Sequence, residues 1–250
     1  MNPLLVQDRR GVFWLVWISD RDPDAPRSIW IASSPNGLEW SFPRKIALPP
    51  TSESDLARWR TANYPRIAFT IDRRNRFWLI WQGWLLQSTD GTEWEVDSVL
   101  HTSDDKSGDN TRSSKSYHLS CDRDGKLLMV GDWQSRLRVA TLWRRLATGR
   151  WEPLGVLTGK PNSTYHIGAV ACRDDGTILT VTPHGQPLFL RRFEPSGSQP
   201  EPVCVESHLT NPFHTTIAPL PDGRFAVAFG SEDGLVATVL QDDRAKGIGQ

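Results

Sequence analysis

The sequence predicts an all-β fold, a β-propeller of about five visible four-stranded blades. The phrase Phe-Trp-Leu-Val-Trp at 13–17 returns as Phe-Trp-Leu-Ile-Trp at 77–81, so the chain contains a repeated structural unit. Five turn signals, each followed by an apolar segment, recur at intervals of 64, 50, 51 and 47 residues. A unit of this size cannot bury its own apolar face and must stack on its copies. Four antiparallel strands at such a period are typical of a propeller blade.

The first two strands of each unit are expected to flank a tight turn, because Asp-Gly between apolar runs is a strong hairpin signal. The turns are Asp8–Gly11, Asp72–Asn75, Asp122–Gly125, Asp174–Gly176 and Pro221–Gly223. The extended segments before them are Leu4–Gln7, Arg66–Ile71, His118–Cys121, Ile167–Cys172 and Thr215–Leu220. The alternating apolar segments after them are Val12–Ile18, Arg76–Gln82, Lys126–Asp132, Thr177–Thr182 and Arg224–Gly230.

A third strand is expected in all five units and a fourth strand in the first four. The third strands are Ser28–Ser33, Trp84–Ser88, Leu137–Trp143, Pro187–Phe193 and Leu235–Leu240. The fourth strands are Arg44–Leu48, Glu95–Leu100, Trp151–Leu157 and Val203–Ser207. A ring that stays open would expose a sheet edge. Either the last blade has three strands, or the chain is a fragment of a six-bladed propeller.

This repeat indicates one propeller domain over residues 1–241, followed by a polar tail over 242–250. The predicted blades are approximately 1–49, 63–101, 115–158, 165–208 and 213–241. One large all-β domain is also what a chain of 250 residues accommodates.

Charge and composition narrow the classes of partner. The 29 basic and 29 acidic residues give a net charge of zero, which disfavours nucleic acid and anionic membranes as partners. The first residues lack the basic and apolar regions of a signal peptide, and the longest apolar run, Val12–Ile18, is too short to span a bilayer. We therefore expect a monomer that is cytoplasmic by default, unless the N-terminus is truncated.

The cysteines predict neither a metal site nor a cofactor. The three cysteines form no CxxC pair and no metal-ligand spacing. Cys121 and Cys172 each lie four residues before a turn glycine, so we expect equivalent buried thiols on different units rather than a disulfide.

A second motif carries a family resemblance. Ser34-Pro-Asn-Gly-Leu-Glu-Trp40 and Ser88-Thr-Asp-Gly-Thr-Glu-Trp94 follow the third strands of the first two units. The motif resembles the Asp-box (BNR) repeat of sialidases and related propellers, although the usual form is one residue longer. The resemblance implies a structural motif in which the Asp or Asn side chain binds backbone amides, Gly adopts a positive φ and Trp packs between blades.

The long loops place the predicted site at one end of the units. Loop length and irregularity usually mark the functional end of a fold. The loops that lead into the first strands or follow the second strands are the long ones. They bring together all three tyrosines and several polar and aromatic side chains. The predicted ligand-binding residues are Asn63, Tyr64, Arg66, Trp81, Arg112, Trp133, His184 and His214, and the catalytic candidates are Asp20, Tyr117, His118, Asp132, Tyr165 and His166.

These side chains have two interpretations. They could fill a central channel and bond to one another, or they could line an axial pocket with aromatic walls. A pocket of the second kind suits a sugar, which combines hydroxyl groups with apolar ring faces. We therefore expect a carbohydrate ligand, either an oligosaccharide or a polysaccharide.

The resemblance leaves three functions open. A sialidase-like glycoside hydrolase would use an arginine cluster that includes Arg66 and Arg112, Asp20 or Asp132 as the acid, and Tyr117 or Tyr165 as the nucleophile. A polysaccharide lyase would use the Tyr117-His118 or Tyr165-His166 pair to transfer a proton. A non-catalytic carbohydrate-binding or interaction propeller is the third alternative. Because the site residues differ from unit to unit, a single axial site is favoured over repeated lectin sites.

Overall fold

A computed structural model of the chain confirms the predicted fold class. The described part of the chain forms five antiparallel sheets, the blades of a β-propeller. Four sheets have four strands, and the fifth has three. The structure describes residues 3–19, 28–48, 67–81, 84–100, 117–131, 140–157, 168–183, 188–195, 203–206, 213–231 and 234–240.

The chain divides into two compact units, Met1–Leu119 and Ser120–Gln250, and the boundary falls within the strand Tyr117–Cys121. The strands of sheet 1 are β1 (Leu4–Gln7), β2 (Phe13–Ser19), β3 (Ser28–Ser34) and β4 (Arg44–Lys45). Those of sheet 2 are β5 (Ile67–Ile71), β6 (Phe77–Trp81), β7 (Trp84–Ser88) and β8 (Glu95–Val99).

The remaining sheets follow in chain order. The strands of sheet 3 are β9 (Tyr117–Cys121), β10 (Leu127–Gly131), β11 (Thr141–Arg145) and β12 (Trp151–Val156). Those of sheet 4 are β13 (Ala169–Cys172), β14 (Ile178–Pro183), β15 (Leu188–Phe193) and β16 (Val203–Glu206). Sheet 5 contains β17 (Phe213–Pro219), β18 (Phe225–Ser231) and β19 (Gly234–Leu240).

The predicted strands are confirmed, and most of their ends shift by one or two residues. The largest difference is β11, which was expected to begin at Leu137 and begins at Thr141. Residues 137–139 lie outside the described residues, as does the predicted tail. Each sheet follows the chain as a meander, because its consecutive strands pair antiparallel.

Buried aspartates shape the hairpin turns of the first three sheets. Asp8, Asp72 and Asp122 are buried, and Oδ1 of each accepts backbone N–H bonds from the residues two and four positions later. The indole N–H of Trp14 donates to Asp8 Oδ2 at 3.3 Å, and that of Trp78 donates to Asp72 Oδ2 at 3.1 Å. The carboxylate therefore satisfies the turn amides and links the turn to the second strand.

One core cluster joins the two sheets of the first unit. Phe77, Leu79 and Trp81 of β6 pack in it with Trp14 and Val16 of β2. The rings of Trp14 and Phe77 meet edge to face, with centroids 4.7 Å apart. Alternate residues of β6 thus pack against the sheet that precedes it, which confirms the stacking that the repeat predicts.

Two further clusters join the sheets of the second unit. Leu128 and Val130 of sheet 3 pack with Ile178 of sheet 4. Leu179 of sheet 4 packs with Phe225 of sheet 5. The packing repeats that of the first unit. In sheets 4 and 5, as in sheet 2, the residues that face the preceding sheet begin two positions after the last residue of the turn and alternate along the second strand.

Two of the three cysteines are described with their side chains. Cys121 and Cys172 are free thiols at the ends of β9 and β13, the equivalent positions that the turn spacing predicts. Both are half-buried rather than fully buried, because each is the last residue of its strand, next to the exposed turn. Within the described ranges, no helix is long and apolar enough to cross a membrane.

Candidate functional site

Four of the fourteen predicted site residues fall within the described residues, and they lie at one end of their own sheets, which we call the loop end. Each first strand begins at this end, and the antiparallel second strand finishes there, as the pairing of Ile67 with Trp81 shows. Trp81, Tyr117, His118 and His214 lie in strands at this end. The other ten predicted residues lie outside the described residues: Asp20, Asn63, Tyr64, Arg66, Arg112, Asp132, Trp133, Tyr165, His166 and His184.

Tyr117 and His118 open strand β9 but extend to opposite sides of it. Successive side chains of a strand alternate between its two faces. The burial pattern agrees, because Tyr117 and Leu119 are buried whereas His118 and Ser120 are half-buried. Acid–base partners acting on one substrate atom would need to share a face. The structure therefore separates Tyr117 from His118, one of the two pairs that a lyase could use; the other pair, Tyr165-His166, lies outside the described residues.

His118 is a neutral group at physiological pH. Its side chain keeps part of its surface accessible, yet it lies in dense surroundings, and this burial lowers its pKa to about 4 from an ordinary value of 6.5. The hairpin turns align His118 with Leu4, Ala68, Ala169 and Thr216 in the other sheets. It is thus the one imidazole at a position that is otherwise apolar or hydroxylic. A neutral imidazole both donates and accepts a hydrogen bond but cannot pair with a carboxylate as a cation.

Trp81 has a packing role. Its side chain is 1% exposed, and it belongs to the core cluster that joins sheets 1 and 2. A ring buried to this degree stacks on protein rather than on a ligand. We therefore leave Trp81 out of the proposed binding surface.

Thr215 is a loop-end residue that the sequence analysis did not identify. Strand β17 contains a bulge, because Phe213 pairs with Gly230 whereas Thr216 pairs with Ala228. Thr215 lies in this bulge, is 8% exposed, and its Oγ1 has no hydrogen-bond partner in the described structure. Bulges often redirect side chains next to functional sites.

The opposite end of the sheets carries the Asp-box-like turns, and these are structural. Ser88 Oγ accepts the Gly91 N–H at 2.9 Å, and Asp90 Oδ1 accepts the N–H groups of Thr92 and Glu93 at 2.7 and 3.1 Å. Backbone bonds from Thr92 and Glu93 lower the pKa of Asp90. Gly91 has φ 73°, and the Trp94 indole N–H donates to its carbonyl. The carboxylate bonds to backbone amides and the positive φ of glycine are thus both present in this turn.

The first copy of this turn has the same bonds with Asn in place of Asp. Asn36 Oδ1 accepts N–H bonds from Leu38 and Glu39 at 2.9 Å each, and Gly37 has φ 76°. The expectation that both tryptophans pack between blades is wrong for one of them. Trp94 packs against the core cluster, whereas Trp40 is 39% exposed, because no sheet of the first unit covers that side of sheet 1.

No cluster of three or more His, Cys, Asp or Glu side chains that could hold a metal ion occurs among the residues that the structure describes.

Solved structures share this fold at low sequence identity. A protein of unknown function from Dyadobacter fermentans is 14% identical, with a TM-score of 0.67, and the match covers 98% of this chain and 79% of that one. An exo-β-1,3-galactanase from Phanerochaete chrysosporium, solved with β-1,3-galactotriose, is 10% identical, with a TM-score of 0.61 over 97% of this chain and 61% of that one.

Virginiamycin B lyase from Staphylococcus aureus is 11% identical, with a TM-score of 0.53 over 96% of this chain and 69% of that one. These neighbours are β-propellers, and at such identities they support the fold alone. No family model and no curated protein matches the chain.

Proposed function

We propose that this protein binds a carbohydrate through the loop ends of its sheets. The observation that carries the proposal is the contrast between the two ends of the sheets. Tyr117, His118 and His214 lie at the loop ends of described strands, whereas the opposite end is occupied by tight turns that satisfy their own backbone groups. We therefore assign the binding function to the loop end, where the long connections and polar side chains occur.

The residue types fit this ligand class. Tyrosine, histidine, asparagine and threonine supply neutral hydrogen-bond partners for hydroxyl groups, and tryptophan and tyrosine supply faces for sugar rings. The galactanase shows that a propeller of this general shape accommodates an oligosaccharide, and its likeness supports the proposal only at the level of fold.

A glycoside hydrolase is the enzymatic form of this proposal. The proposed acid is Asp20, which follows the second strand of sheet 1 in the sequence, or Asp132, which follows that of sheet 3. A lyase would have to use the Tyr165-His166 pair, because Tyr117 and His118 extend to opposite sides of β9. Asp132→Asn is expected to abolish release of reducing sugar while glycan binding is retained.

The binding proposal is tested on a glycan array with the purified chain and an Arg66→Ala/His166→Ala double variant. We expect the wild type to retain at least one class of glycan and the double variant to lose it. Arg224→Ala is the matched control, because Arg224 lies in the turn at the opposite end and pairs there with Asp222. Circular dichroism confirms that all variants fold. Unchanged glycan retention by the double variant would exclude these residues, and retention of no glycan by the wild type would exclude the function.

A further inference from the structure

The last strands of sheets 1 to 4 each carry features that oppose the pairing of a further strand. An open sheet edge offers unpaired N–H and C=O groups to another chain, and proteins block it with charge, proline, a bulge or a short strand. Strand β4 is two residues long, and both are charged. β8 contains Glu95 and Asp97, and β12 contains Glu152 and Pro153. β16 is four residues long and ends at Glu206.

A bulge or irregularity adds to these features in three of the four sheets. The pairing between the third and fourth strands shifts in register in sheets 2, 3 and 4. Bulges bend a strand and interrupt its ladder, so they also discourage a new neighbour. The last strands of sheets 1 to 4 are therefore poor templates for another chain.

Strand β19 is the last strand of sheet 5 and carries none of these features. Its seven residues, Gly234–Leu240, include no charge and no proline. It pairs with β18 along its whole length without a shift in register. No described strand pairs with its other side. Among the last strands of the five sheets in the described part of the chain, β19 is thus the one with an edge suited to further pairing.

One face of β19 is apolar and exposed. Side chains alternate along the strand, and Val236 and Leu240 pack on the core cluster shared with sheet 4. Leu235, Ala237 and Val239 lie on the opposite face, where Leu235 is 81% and Val239 45% exposed. A strand placed beside β19 would cover part of these side chains and also satisfy the free backbone groups.

A second copy of the same strand fits this edge. When two β19 strands pair antiparallel about a twofold axis at Ala237, Leu235 of each copy lies opposite Val239 of the other. This pairing brings no like charges together, because the strand has none. A charged partner segment, by contrast, would find no counter-charge on β19. The twofold contact uses the same edge in both copies, so association ends at the dimer.

We infer that β19 is a self-association edge, through which two copies of this chain pair antiparallel in a register centred on Ala237. The monomer expected from the sequence is then the form present in dilute solution. The inference is independent of the proposed function, since it uses none of the predicted ligand-binding or catalytic residues.

Analytical ultracentrifugation of the full chain over a range of concentrations tests the association. We expect a reversible equilibrium between monomer and dimer, with no larger species. Hydrogen exchange locates the contact, because the outward amides of β19 are open to solvent in the dilute monomer and should slow as the dimer forms. The exchange of β12, which is also a last strand, should not change with concentration.

Charge substitution at Ala237 tests the register. Ala237→Lys and Ala237→Glu each place two like charges opposite one another, so we expect either variant alone to dimerise at least about tenfold more weakly than the wild type. An equimolar mixture of the two should recover the affinity, because opposite charges then face each other. Val156→Lys is the matched control, since Val156 is 51% exposed on β12, and it should leave dimerisation unchanged. Circular dichroism confirms that each variant folds.

Each contrary outcome removes a definite part of the inference. A wild type that stays monomeric at every concentration would overturn it, and so would association that continues beyond the dimer. Slow exchange of the outward amides in dilute protein would show that another part of the same chain covers the edge, which also excludes the dimer. A mixture of the two charge variants that stays monomeric would contradict the register. Loss of dimerisation in Val156→Lys would place the contact elsewhere.

Discussion

Single side chains fix the turns of this protein, and their chemistry is interchangeable between copies. Asp90 and Asn36 occupy the same position in two turns and accept the same backbone bonds through Oδ1. An amide oxygen therefore does the work of a carboxylate, so geometry rather than charge determines which residue fits.

Replacing Asp90 tests this equivalence. Asp90→Ala removes the acceptor of two N–H bonds, and we expect the free energy of unfolding to fall by about 1 kcal/mol, as for the loss of a helix cap. Asp90→Asn should retain the stability, because asparagine is already present at position 36. Urea denaturation of the three proteins measures both effects. Equal losses in the two variants would show that charge is required.

His118 should make stability depend on pH. Its pKa is about 4 in the folded protein and 6.5 in the unfolded chain, so the unfolded state binds more protons between these values. The free energy of unfolding is therefore highest above pH 6.5, and it falls by up to about 3 kcal/mol as the pH falls toward 4. Urea midpoints between pH 4.5 and 7.5 should show this decline in the wild type and a weaker one in His118→Gln. Identical profiles would contradict the burial of the imidazole.

At the scale of the element, the buried aspartate of the hairpin turn has two kinds of partner. The carboxylate at the first turn position accepts a tryptophan N–H in sheets 1 and 2, through Trp14 and Trp78. Sheet 3 has Leu128 at the tryptophan position, and Arg144, directly opposite it on the next strand, lies 3.2 Å from Asp122 Oδ2. The contact is an ion pair rather than an aligned hydrogen bond.

This exchange predicts a rescue. Arg144→Gln, which copies Gln87 of sheet 2, leaves the buried Asp122 without its ion pair, and we expect a loss of about 1–3 kcal/mol. Adding Leu128→Trp supplies the indole donor found in sheet 2 and should restore part of the loss. Chemical denaturation of the single and double variants measures the coupling. A double variant that is less stable than Arg144→Gln would show that sheet 3 cannot accommodate the larger ring.

Arg173 of sheet 4 makes two contacts with sheet 5. Its Nη1 donates to the Gly223 carbonyl at 2.7 Å, and its guanidinium lies 5.6 Å from the centroid of the Phe225 ring. Arg173→Ala should therefore destabilise the protein by about 1–3 kcal/mol. Arg173→Lys keeps the charge but not the planar group and should recover only part of this. Thermal unfolding of the protein, followed by near-ultraviolet circular dichroism, distinguishes the two variants. Equal stability of Arg173→Ala and the wild type would rule out a stabilising role for these contacts.

The strands could be predicted from the sequence for a physical reason. Turns such as Asp122–Gly125 impose local geometry, and alternating burial then determines each strand from its own residues. The long loops carry no periodic pattern, so their shape depends on contacts with distant parts of the chain. The position of Thr215 depends on a bulge, and a bulge follows from pairing with β18 rather than from composition. The opposite orientations of Tyr117 and His118 could have been predicted, since strand alternation alone requires them.

At the scale of the whole molecule, the repeated phrase occupies two environments. Phe77, Leu79 and Trp81 are 1%, 0% and 1% exposed, because sheet 1 covers them. Phe13, Leu15 and Trp17 have the same spacing in sheet 1 and are half-buried. Identical residues therefore contribute different amounts to stability, according to the sheet beside them.

Truncating the two tryptophans compares these environments. Trp81→Ala should cost about 3–5 kcal/mol, the usual range for a fully buried ring, and Trp17→Ala roughly half as much. Denaturant midpoints of the two variants, in the same buffer, provide the comparison. Equal losses would show that the Trp17 face is fully covered in solution.

Strand β19 has a consequence for hydrogen exchange. It pairs with β18 along its whole length, and no described strand pairs with its other side. In an antiparallel ladder, alternate amides point toward the partner strand. Every second amide of β19 should then exchange slowly with deuterium and the intervening amides rapidly. In central strands such as β6, the amides on both sides should exchange slowly.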